Sequence, residues 1–361
     1  IRIDTVSPLI TYGLGMEPND SNVSKDWIFV NVTVTDLYPK NFSFDLRNET
    51  LDVINQSWVN YSNSSFNYTS LSDGRYYFSV TAYDWSGNTN TTTLYKITLD
   101  QTAPNATLIS PANNTYTNQT SQNFTVNVTD SIELSNVTLY IYNATGQLIN
   151  QTTYYISGGV QALIGIVYEF LYDGIFTWFF EVADITGNTV LTDNQTIIID
   201  TIYPQINYTL GTEANYSNFS RDWFFINVTV NDTNFANLTF TIDGPSFSQV
   251  VYTDGNRSHN FTSLSDGLYF YNATVFDFAN QKNMTETREI GLDTTEPTLV
   301  IDQPQSKTYG TNISLPLEHT VSDNFIGLDT CWWNIDDGVN QTITCNQDTT
   351  FNTSAGAHTI N

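Results

Sequence analysis

The chain is 361 residues long, which is enough for several domains with cores of their own. It carries 37 Asp and Glu residues against 11 Lys and Arg, a formal net charge of −26. This charge argues against nucleic acid and anionic membrane surfaces as partners, and it favours divalent cations. Aromatic residues make up 14% of the chain, so the sequence has enough apolar bulk to fold.

Three sequence markers recur in the same order along the chain. The first is Asp-Thr-x-x-Pro or a close variant, which begins at Asp4, Asp100, Asp200 and Asp293. The second is an alternating run that ends in Asp, found at residues 30–36, 124–130, 226–232 and, in a weaker form, 319–323. The third is an Asp-Gly turn followed by a long apolar stretch, which begins at Asp73, Asp173 and Asp266. The period of about 93–100 residues is the size of one β-sandwich.

The alternating runs predict strands that are buried on one face. In the first run, Val30, Val32 and Val34 point to one side, and the polar residues between them point to the other. Gly, Asn, Asp and Pro interrupt the strands at short intervals, and the sequence shows no helical periodicity. We therefore predict an all-β fold with about seven short strands per repeat.

An aromatic residue lies two positions after each turn glycine, at Tyr76, Phe176 and Tyr269. The long apolar stretch ends in Asp-x-x-Gly-Asn at residues 84–88 and 184–188. Together with Asp-Thr-x-x-Pro and this motif, the aromatic residue resembles a feature of the tandem Ig-like (fibronectin-III-like) repeats of archaeal and bacterial cell-surface proteins. The resemblance implies a string of four Ig-like antiparallel β-sandwich domains, with each aromatic side chain packed back on the preceding loop. It implies an architecture and no particular function, because such repeats occur in stalks, filaments, surface layers and adhesins alike.

The markers also set the predicted domain boundaries. Residues 1–3 correspond to the end of a preceding repeat, and the four repeats span residues 4–99, 100–199, 200–292 and 293–361. The fourth repeat stops before its expected Asp-x-x-Gly-Asn motif. We expect it to be completed either by further sequence or by a strand from a neighbouring chain. An export signal or a membrane anchor is expected only outside these residues.

Two cysteines, Cys331 and Cys345, flank the turn sequence Asp336-Asp337-Gly338 in the fourth repeat. Cysteines that face each other across a hairpin in an exported protein are expected to form a local disulfide. Two free buried thiols are the alternative.

The acceptor pattern Asn-x-Ser/Thr occurs about 32 times, where random placement would give roughly a dozen. Alternating strands with Asn and Thr on the solvent-exposed face explain some of these sequons, but not the ones in loops. We therefore predict N-linked glycans. The predicted acceptors are Asn22, Asn31, Asn41, Asn63, Asn67, Asn113, Asn118, Asn127, Asn136, Asn143, Asn194, Asn207, Asn218, Asn227, Asn237, Asn256, Asn272, Asn312 and Asn340. Phe29 and Phe225 lie beside Asn31 and Asn227 on the same strand face, where they are expected to stack on the sugar.

Aspartates that end strands B and F and begin strand A are expected to converge at one pole of each sandwich. A turn aspartate of the preceding repeat would face them. The predicted sets are Asp73, Asp100, Asp130 and Asp184 at one junction, and Asp173, Asp200, Asp232 and Asp277 at the next. Several carboxylates together suit Ca²⁺, which takes six to eight oxygen ligands. Aspartates that only cap turns by bonding to their own backbone would need no ion.

One strand of the second repeat is apolar on both faces, at residues 160–167, where repeats one and three have polar residues. A contact beyond its own sandwich would explain this pattern, and an unusually thick local core is the alternative. The residues of this candidate lateral interface are Leu163, Ile164, Ile166 and Val167.

The sequence offers no catalytic constellation. His259, His319 and His358 fall at unrelated repeat positions, and no Ser/His/Asp set, Cys/His pair or phosphate loop is evident. We predict an extracellular, non-enzymatic structural protein that forms the shaft of a cell-surface filament or surface layer, with copies of itself or neighbouring surface proteins as partners. One alternative is the stalk of an adhesin whose binding head lies elsewhere. Another is a carbohydrate-binding module that uses surface aromatics, namely Trp27, Trp223, Trp332 and Trp333.

Overall fold

The computed structural model describes residues 3–361, and all regular secondary structure among them is β-strand. No helix long and apolar enough to cross a membrane occurs in this part of the chain. Ile1 and Arg2, two of the three residues predicted to end a preceding repeat, lie outside the described residues. The chain divides into two compact units, of which the first ends at Thr201 and the second begins at Ile202.

Repeat one contains nine strands in two sheets. They are β1 Leu9–Tyr12, β2 Ser21–Val23, β3 Ile28–Thr35, β4 Pro39–Arg47, β5 Val53–Asn60, β6 Ser65–Tyr68, β7 Gly74–Asp84, β8 Thr89–Thr91 and β9 Tyr95–Leu99. Strands β1, β3 and β6 form the smaller sheet. The larger sheet has the order β2-β9-β7-β4-β5, with β8 paired to β7, and its β2–β9 pair is parallel. This is an Ig-like sandwich, as the sequence predicts.

Repeats two and three have the same topology. Repeat two comprises β10 Asn105–Ser110, β11 Thr115–Thr117, β12 Ser121–Thr129, β13 Leu134–Asn143, β14 Leu148–Tyr155, β15 Gln161–Glu169, β16 Gly174–Asp184, β17 Thr189–Leu191 and β18 Gln195–Ile199. Repeat three comprises β19 Gln205–Tyr208, β20 Ser217–Phe219, β21 Phe224–Asn231, β22 Phe235–Asp243, β23 Ser248–Tyr252, β24 Ser258–Phe261, β25 Gly267–Asp277, β26 Lys282–Met284 and β27 Arg288–Leu292. Each has a three-stranded and a six-stranded sheet.

Repeat four is smaller than the others. Its strands are β28 Thr298–Gln303, β29 Leu315–Ser322, β30 Cys331–Trp333, β31 Gln341–Ile343 and β32 Thr349–Phe351. Strands β28, β29 and β32 form one sheet and β30 pairs with β31. The structure joins Cys331 and Cys345 in a disulfide, with their Cα atoms 5.3 Å apart. Among the described residues this repeat has no counterpart of the eleven-residue strands β7, β16 and β25.

The core of each complete sandwich lies between its two sheets. In repeat one, Val30 and Val32 of β3 are buried together with Phe44 of β4 and with Phe78 and Val80 of β7. Phe29 and Asn31, which alternate with these valines on β3, are half-buried, because successive side chains of a strand point to opposite faces. Full burial of one such side chain contributes about 1.5–3 kcal/mol, so the alternation seen in the sequence is what stabilises the fold.

The apolar strand of repeat two, β15, differs from the interface predicted for it. Ile164 and Ile166 are 7% and 6% exposed and belong to the core of their own sandwich, so they cannot contact another molecule. Leu163 and Val167 are 68% and 66% exposed on the opposite face. Because the side-chain period of a strand is two, a run that is apolar throughout fills the core with one set and exposes the other. Only Leu163 and Val167 remain candidates for a lateral contact.

The aromatic residues after the turn glycines pack back on the preceding loop. The hydroxyl of Tyr76 donates to the carbonyl of Ser72 at 2.8 Å, and that of Tyr269 donates to the carbonyl of Ser265 at 3.0 Å. Phe176 has no hydroxyl, and its ring instead lies 4.4 Å from the ring of Phe170. These contacts fix the start of the central strand of each larger sheet.

Candidate functional site

The junction between repeats one and two lies within a single compact unit. Strand β9 ends at Leu99 and β10 begins at Asn105, so only residues 100–104 connect the two sandwiches. Asp100 is completely buried, and Pro104 is also buried. A linker this short that is buried at both ends leaves little freedom for the backbone of the joint.

Three predicted cation ligands meet at this junction. Asp100 follows β9, Asp130 follows β12 and Asp184 ends β16. One carboxylate oxygen of each lies within 4.8 Å of those of the other two. We call these three residues the acidic triad. They meet because β12 and β16 both run toward the pole at which β10 begins.

Asp184 is the member of the triad whose hydrogen bonds are complete. Its Oδ1 accepts from the backbone N–H groups of Thr186 at 2.8 Å and Asn188 at 2.9 Å. Its Oδ2 accepts from Asn188 Nδ2 at 2.6 Å. Asn188 Nδ2 also donates to the carbonyl of Asp100 at 3.0 Å, so this amide connects the end of β16 to the linker.

Asp100 and Asp130 are each bonded at one oxygen only. Asp100 Oδ1 accepts from Thr102 N at 3.0 Å, and Asp130 Oδ1 accepts from Ile132 N at 2.8 Å and Glu133 N at 2.9 Å. Oδ2 of both residues is buried and has no hydrogen-bond partner among the described residues. A buried carboxylate oxygen without a donor is costly, so this pair is the least satisfied part of the junction.

The charge state of Asp100 reflects this environment. Burial raises the pKa of its carboxyl to about 6, although the N–H of Thr102 opposes the shift. The carboxylates of Asp130, Asp73 and Asp184 raise it further, because each repels a negative charge on Asp100.

The turn aspartate Asp73 has a different role from the one predicted. It does not complete the triad as a ligand; its Oδ1 accepts from Gln101 N at 3.0 Å and its Oδ2 from Thr102 Oγ1 at 2.5 Å. Asp173 holds Thr201 in the same way, at 3.0 Å from both the N–H and the hydroxyl. Each of these turns therefore fastens the linker that follows its repeat.

The second predicted ligand set is divided between the two compact units. Asp173 and Asp200 lie in the first unit, and Asp232 and Asp277 lie in the second. Asp277 accepts from the backbone N and the side-chain Nε2 of Gln281, at 2.7 and 3.0 Å. Gln281 in repeat three thus takes the place of Asn188 in repeat two as the donor to this aspartate.

A further cluster, not among the predicted cation ligands, occupies the corresponding position of repeat one. Carboxylate oxygens of Asp4, Asp36 and Asp84 also lie within 4.8 Å of one another. All three belong to the repeat markers, and that signal was sufficient to find them. Burial alone would raise the pKa of Asp84, but bonds from the side chain and N–H of Asn88, together with those from other backbone N–H groups, lower it.

Two side-chain contacts reinforce the junction of repeats one and two. The guanidinium of Arg75 at the start of β7 lies 2.6 Å from Glu133 of repeat two and 3.1 Å from Glu49 of repeat one. Ser24 Oγ donates to Asn188 Oδ1 at 2.6 Å. Each contact joins a side chain of repeat one to the pole of repeat two that carries the triad.

None of the predicted glycan acceptors is buried. The exposed ones are Asn22, Asn63, Asn67, Asn113, Asn194, Asn207, Asn218, Asn312 and Asn340. The half-buried ones are Asn31, Asn41, Asn118, Asn127, Asn136, Asn143, Asn227, Asn237, Asn256 and Asn272. Side-chain accessibility therefore permits modification at sites in all four repeats.

Two of the half-buried acceptors use the nitrogen to which a glycan would be attached. Asn31 Nδ2 donates to the carbonyl of Leu14 at 3.0 Å, and Asn227 Nδ2 donates to that of Leu210 at 3.1 Å. Gly211, in the same loop as Leu210, packs against Phe225, and a Cβ at this glycine would lie 3.4 Å from the phenylalanine ring. These contacts leave less room for a sugar stacked on the phenylalanine than the sequence suggested.

The exposed tryptophans of repeats one and three are paired with cations. Lys25 Nζ lies 3.7 Å from the ring centre of Trp27, and Arg221 lies 3.9 Å from that of Trp223. In both repeats the cation is also bound by a glutamate, Glu17 in the first and Glu213 in the third. One face of each ring is thus occupied from within the chain.

Repeat four has an apolar groove of about 260 Å³. Its walls include Leu299, Ile301, Leu317 and Trp333. His319 lies at a position on β29 where the equivalent strands bury a valine, namely Val32, Val126 and Val228. It also lines the groove, and both of its ring nitrogens are buried with no partner among the described residues. In the complete repeats, strands such as β7 and β16 cover this side of the smaller sheet.

The fold defines a class of protein, the strings of Ig-like β-sandwich domains. A family model described as bacterial Ig-like domain (group 3) matches residues 59–144, a segment that includes the junction of repeats one and two. Fibronectin(III)-like modules of Clostridium thermocellum CbhA are 15% identical, cover 53% of this chain and 94% of their own, and give a TM-score of 0.30. A tetra-tandem repeat from the extending region of a large adhesion protein is 16% identical over 98% of this chain and 89% of its own, with a TM-score of 0.33. A comparison with curated proteins found no similar sequence.

Proposed function

We propose that this chain is a structural, non-catalytic segment of an extracellular surface protein, which holds other parts of an assembly at a distance from the cell. The observation that carries the proposal is the short, fastened linker between successive sandwiches. Residues 100–104 are held by Asp73 from one side and by Asn188 from the other. A chain with such joints gains length with every repeat through contacts between neighbours alone.

The surface chemistry supports a location outside the cell. The charged share of the chain is only 13%, about half of the usual value, and Asn, Ser and Thr take the place of charged residues. Sequons at exposed positions in every repeat are suited to a dense glycan coat, which would provide the solubility that charges normally supply. The disulfide between Cys331 and Cys345 fits an oxidising compartment.

The shaft of a filament or surface layer and the stalk of an adhesin share this architecture. Exposed Leu163 and Val167 on β15 favour the filament or layer, because an isolated stalk gains nothing from an apolar stripe on an outer sheet face. A carbohydrate-binding role has less support, since Trp27 and Trp223 each hold a cation of the chain over one ring face.

Surface labelling and glycopeptide mapping of the native protein test this proposal together. An antibody against the chain is expected to label intact cells, and glycopeptides are expected at exposed acceptors such as Asn22, Asn113 and Asn218. Labelling that requires permeabilised cells, with unmodified asparagine at these positions, would refute it.

Assembly is tested separately by Leu163→Asp, which is expected to weaken association of the shafts without changing the melting temperature of the chain.

A further inference from the structure

We infer that the acidic triad binds a divalent cation, of which Ca²⁺ fits best, and that this ion fastens repeat one to repeat two. The inference concerns a metal site and does not depend on the surface role proposed above. Its ligands come from the linker and from the second sandwich. Asp100 belongs to the linker that leaves β9, whereas Asp130 and Asp184 belong to the body of the second sandwich.

The hydrogen bonding of Asp100 provides the evidence beyond the clustering of acidic groups. This side chain is completely buried, and its Oδ2 has no donor among the described residues. Asp130 Oδ2 is in the same state. An aspartate that only capped its turn would use Oδ1, as both residues do, and would leave Oδ2 in water. Here the second oxygen of each is kept from water, which is the arrangement a bound cation requires.

The spacing of the triad allows its three members to share one ion. Oxygens that bind one Ca²⁺ at about 2.4 Å are separated by at most about 4.8 Å. The three carboxylate oxygens lie within 4.8 Å of one another, so all of them can reach one such ion. Mg²⁺ demands near-ideal octahedral geometry and usually keeps several of its waters, with only one or two carboxylates bound, so a set of three carboxylates suits Ca²⁺ better. Water would complete the coordination sphere of the larger ion.

Charge gives the same answer as geometry. The triad and Asp73 place four carboxylates around the linker, and the nearby cation Arg75 is already bound by Glu133 and Glu49. A divalent ion offsets the mutual repulsion of carboxylates that lie this close together.

Calorimetric and thermal titrations of the full 361-residue chain at pH 7.5 test the inference. The chain is first treated with chelator and then titrated with CaCl₂ or with MgCl₂. At about 100 times the dissociation constant, Ca²⁺ is expected to raise the melting temperature of the first unit by about 5–10 °C, and Mg²⁺ by less. A melting temperature that does not respond to Ca²⁺ would overturn the inference, whatever the behaviour of any variant.

The decisive variant is Asp130→Asn, which keeps the size of the side chain and creates no new sequon. Its amide can donate to Asp100, so the variant is expected to fold, to bind one Ca²⁺ fewer than the wild type, and to lose the thermal shift. Asp193→Asn, which removes one exposed charge from the same repeat, is the matched control and is expected to respond as the wild type does. Equal Ca²⁺ binding and equal shifts in Asp130→Asn and the wild type would place the ion elsewhere and refute the site.

Discussion

Arg75 in repeat one and Glu133 in repeat two form an ion pair at 2.6 Å across the joint between two sandwiches. Both side chains are less than one-third exposed, and Glu133 N donates to Asp130 of the acidic triad. The backbone of Glu133 is therefore hydrogen-bonded to a member of the triad, and its side chain reaches the neighbouring repeat. The joint is therefore held by a contact between two side chains as well as by a short linker.

Glu133→Gln is expected to lower the free energy of unfolding of the first unit by about 0.5–1 kcal/mol, because a partly exposed ion pair contributes little more than this. The matched control is Glu49→Gln, which removes the second partner of Arg75 at a site that is 67% exposed. Urea denaturation at low and high salt measures both variants. We expect almost no change in the control. An equal loss in the two variants would mean that the contact across the joint contributes no more to stability than the exposed pair within repeat one.

The corner tyrosine supplies a second test. Tyr76→Phe removes the hydroxyl that donates to the carbonyl of Ser72 at 2.8 Å, and we expect a loss of about 1 kcal/mol. The neighbouring Tyr77→Phe, on the opposite strand face, is the control and should change the unfolding free energy by less than about 0.5 kcal/mol. Chemical denaturation that found both variants equally stable would show that the ring alone fixes the corner, as Phe176 does in repeat two.

The pKa of Asp100 predicts a pH dependence of stability in the presence of chelator. Its folded-state pKa, about 6, lies above the ordinary value of 3.8, so protonation favours the folded chain. That contribution is complete below about pH 4 and is lost as the pH rises through about 6. The facing groups Asp130, Asp73 and Asp184 remain in place in both proteins compared. The stability of the wild type relative to Asp100→Asn should therefore fall between pH 4 and 7.

This comparison needs protein made without N-glycosylation, because Asp100→Asn creates a sequon with Thr102. Thermal melts at several pH values in chelator give the difference directly. A difference that stays constant, or that increases with pH, would show that the buried Oδ2 has a partner in solution.

Glycan occupancy should differ between acceptors according to whether the side-chain nitrogen is free or hydrogen-bonded. We expect high occupancy at exposed Asn22 and Asn63 and several-fold lower occupancy at Asn31 and Asn227, whose Nδ2 atoms donate to loop carbonyls. Quantitative glycopeptide mass spectrometry of the native protein measures all four sites at once. Equal occupancy would mean that these asparagines are modified before the loop closes over them.

The sequence predicted the strand faces well because one physical rule governs them. Val30 and Val32 are buried since a half-buried strand alternates, and the rule needs no knowledge of neighbouring strands. The same rule separates Ile164 from Leu163, which the prediction had placed together in one interface. Because this strand is apolar on both faces, its sequence did not show which set of side chains faced the core; that depends on the partner sheet.

The candidate site was predicted in part. Asp100, Asp130 and Asp184 were identified because strand direction in a sandwich fixes which ends meet. The hydrogen bonds of Asp73 could not be predicted, since they depend on where the linker threonine lies after the turn. Nor could the sequence show that one oxygen of Asp100 is buried without a donor, because burial and hydrogen bonding both depend on the folded arrangement.

Electron microscopy of the native protein, released from cells without denaturant, tests the central claim most directly. The longest strand of each complete repeat has 11 residues, which at about 3.3 Å per residue gives about 36 Å for one sandwich. A structural shaft predicts beaded rods or fibres with a regular spacing of about 4 nm. Compact particles without a repeat along their length would contradict the account, because a segment that does not extend cannot hold anything at a distance.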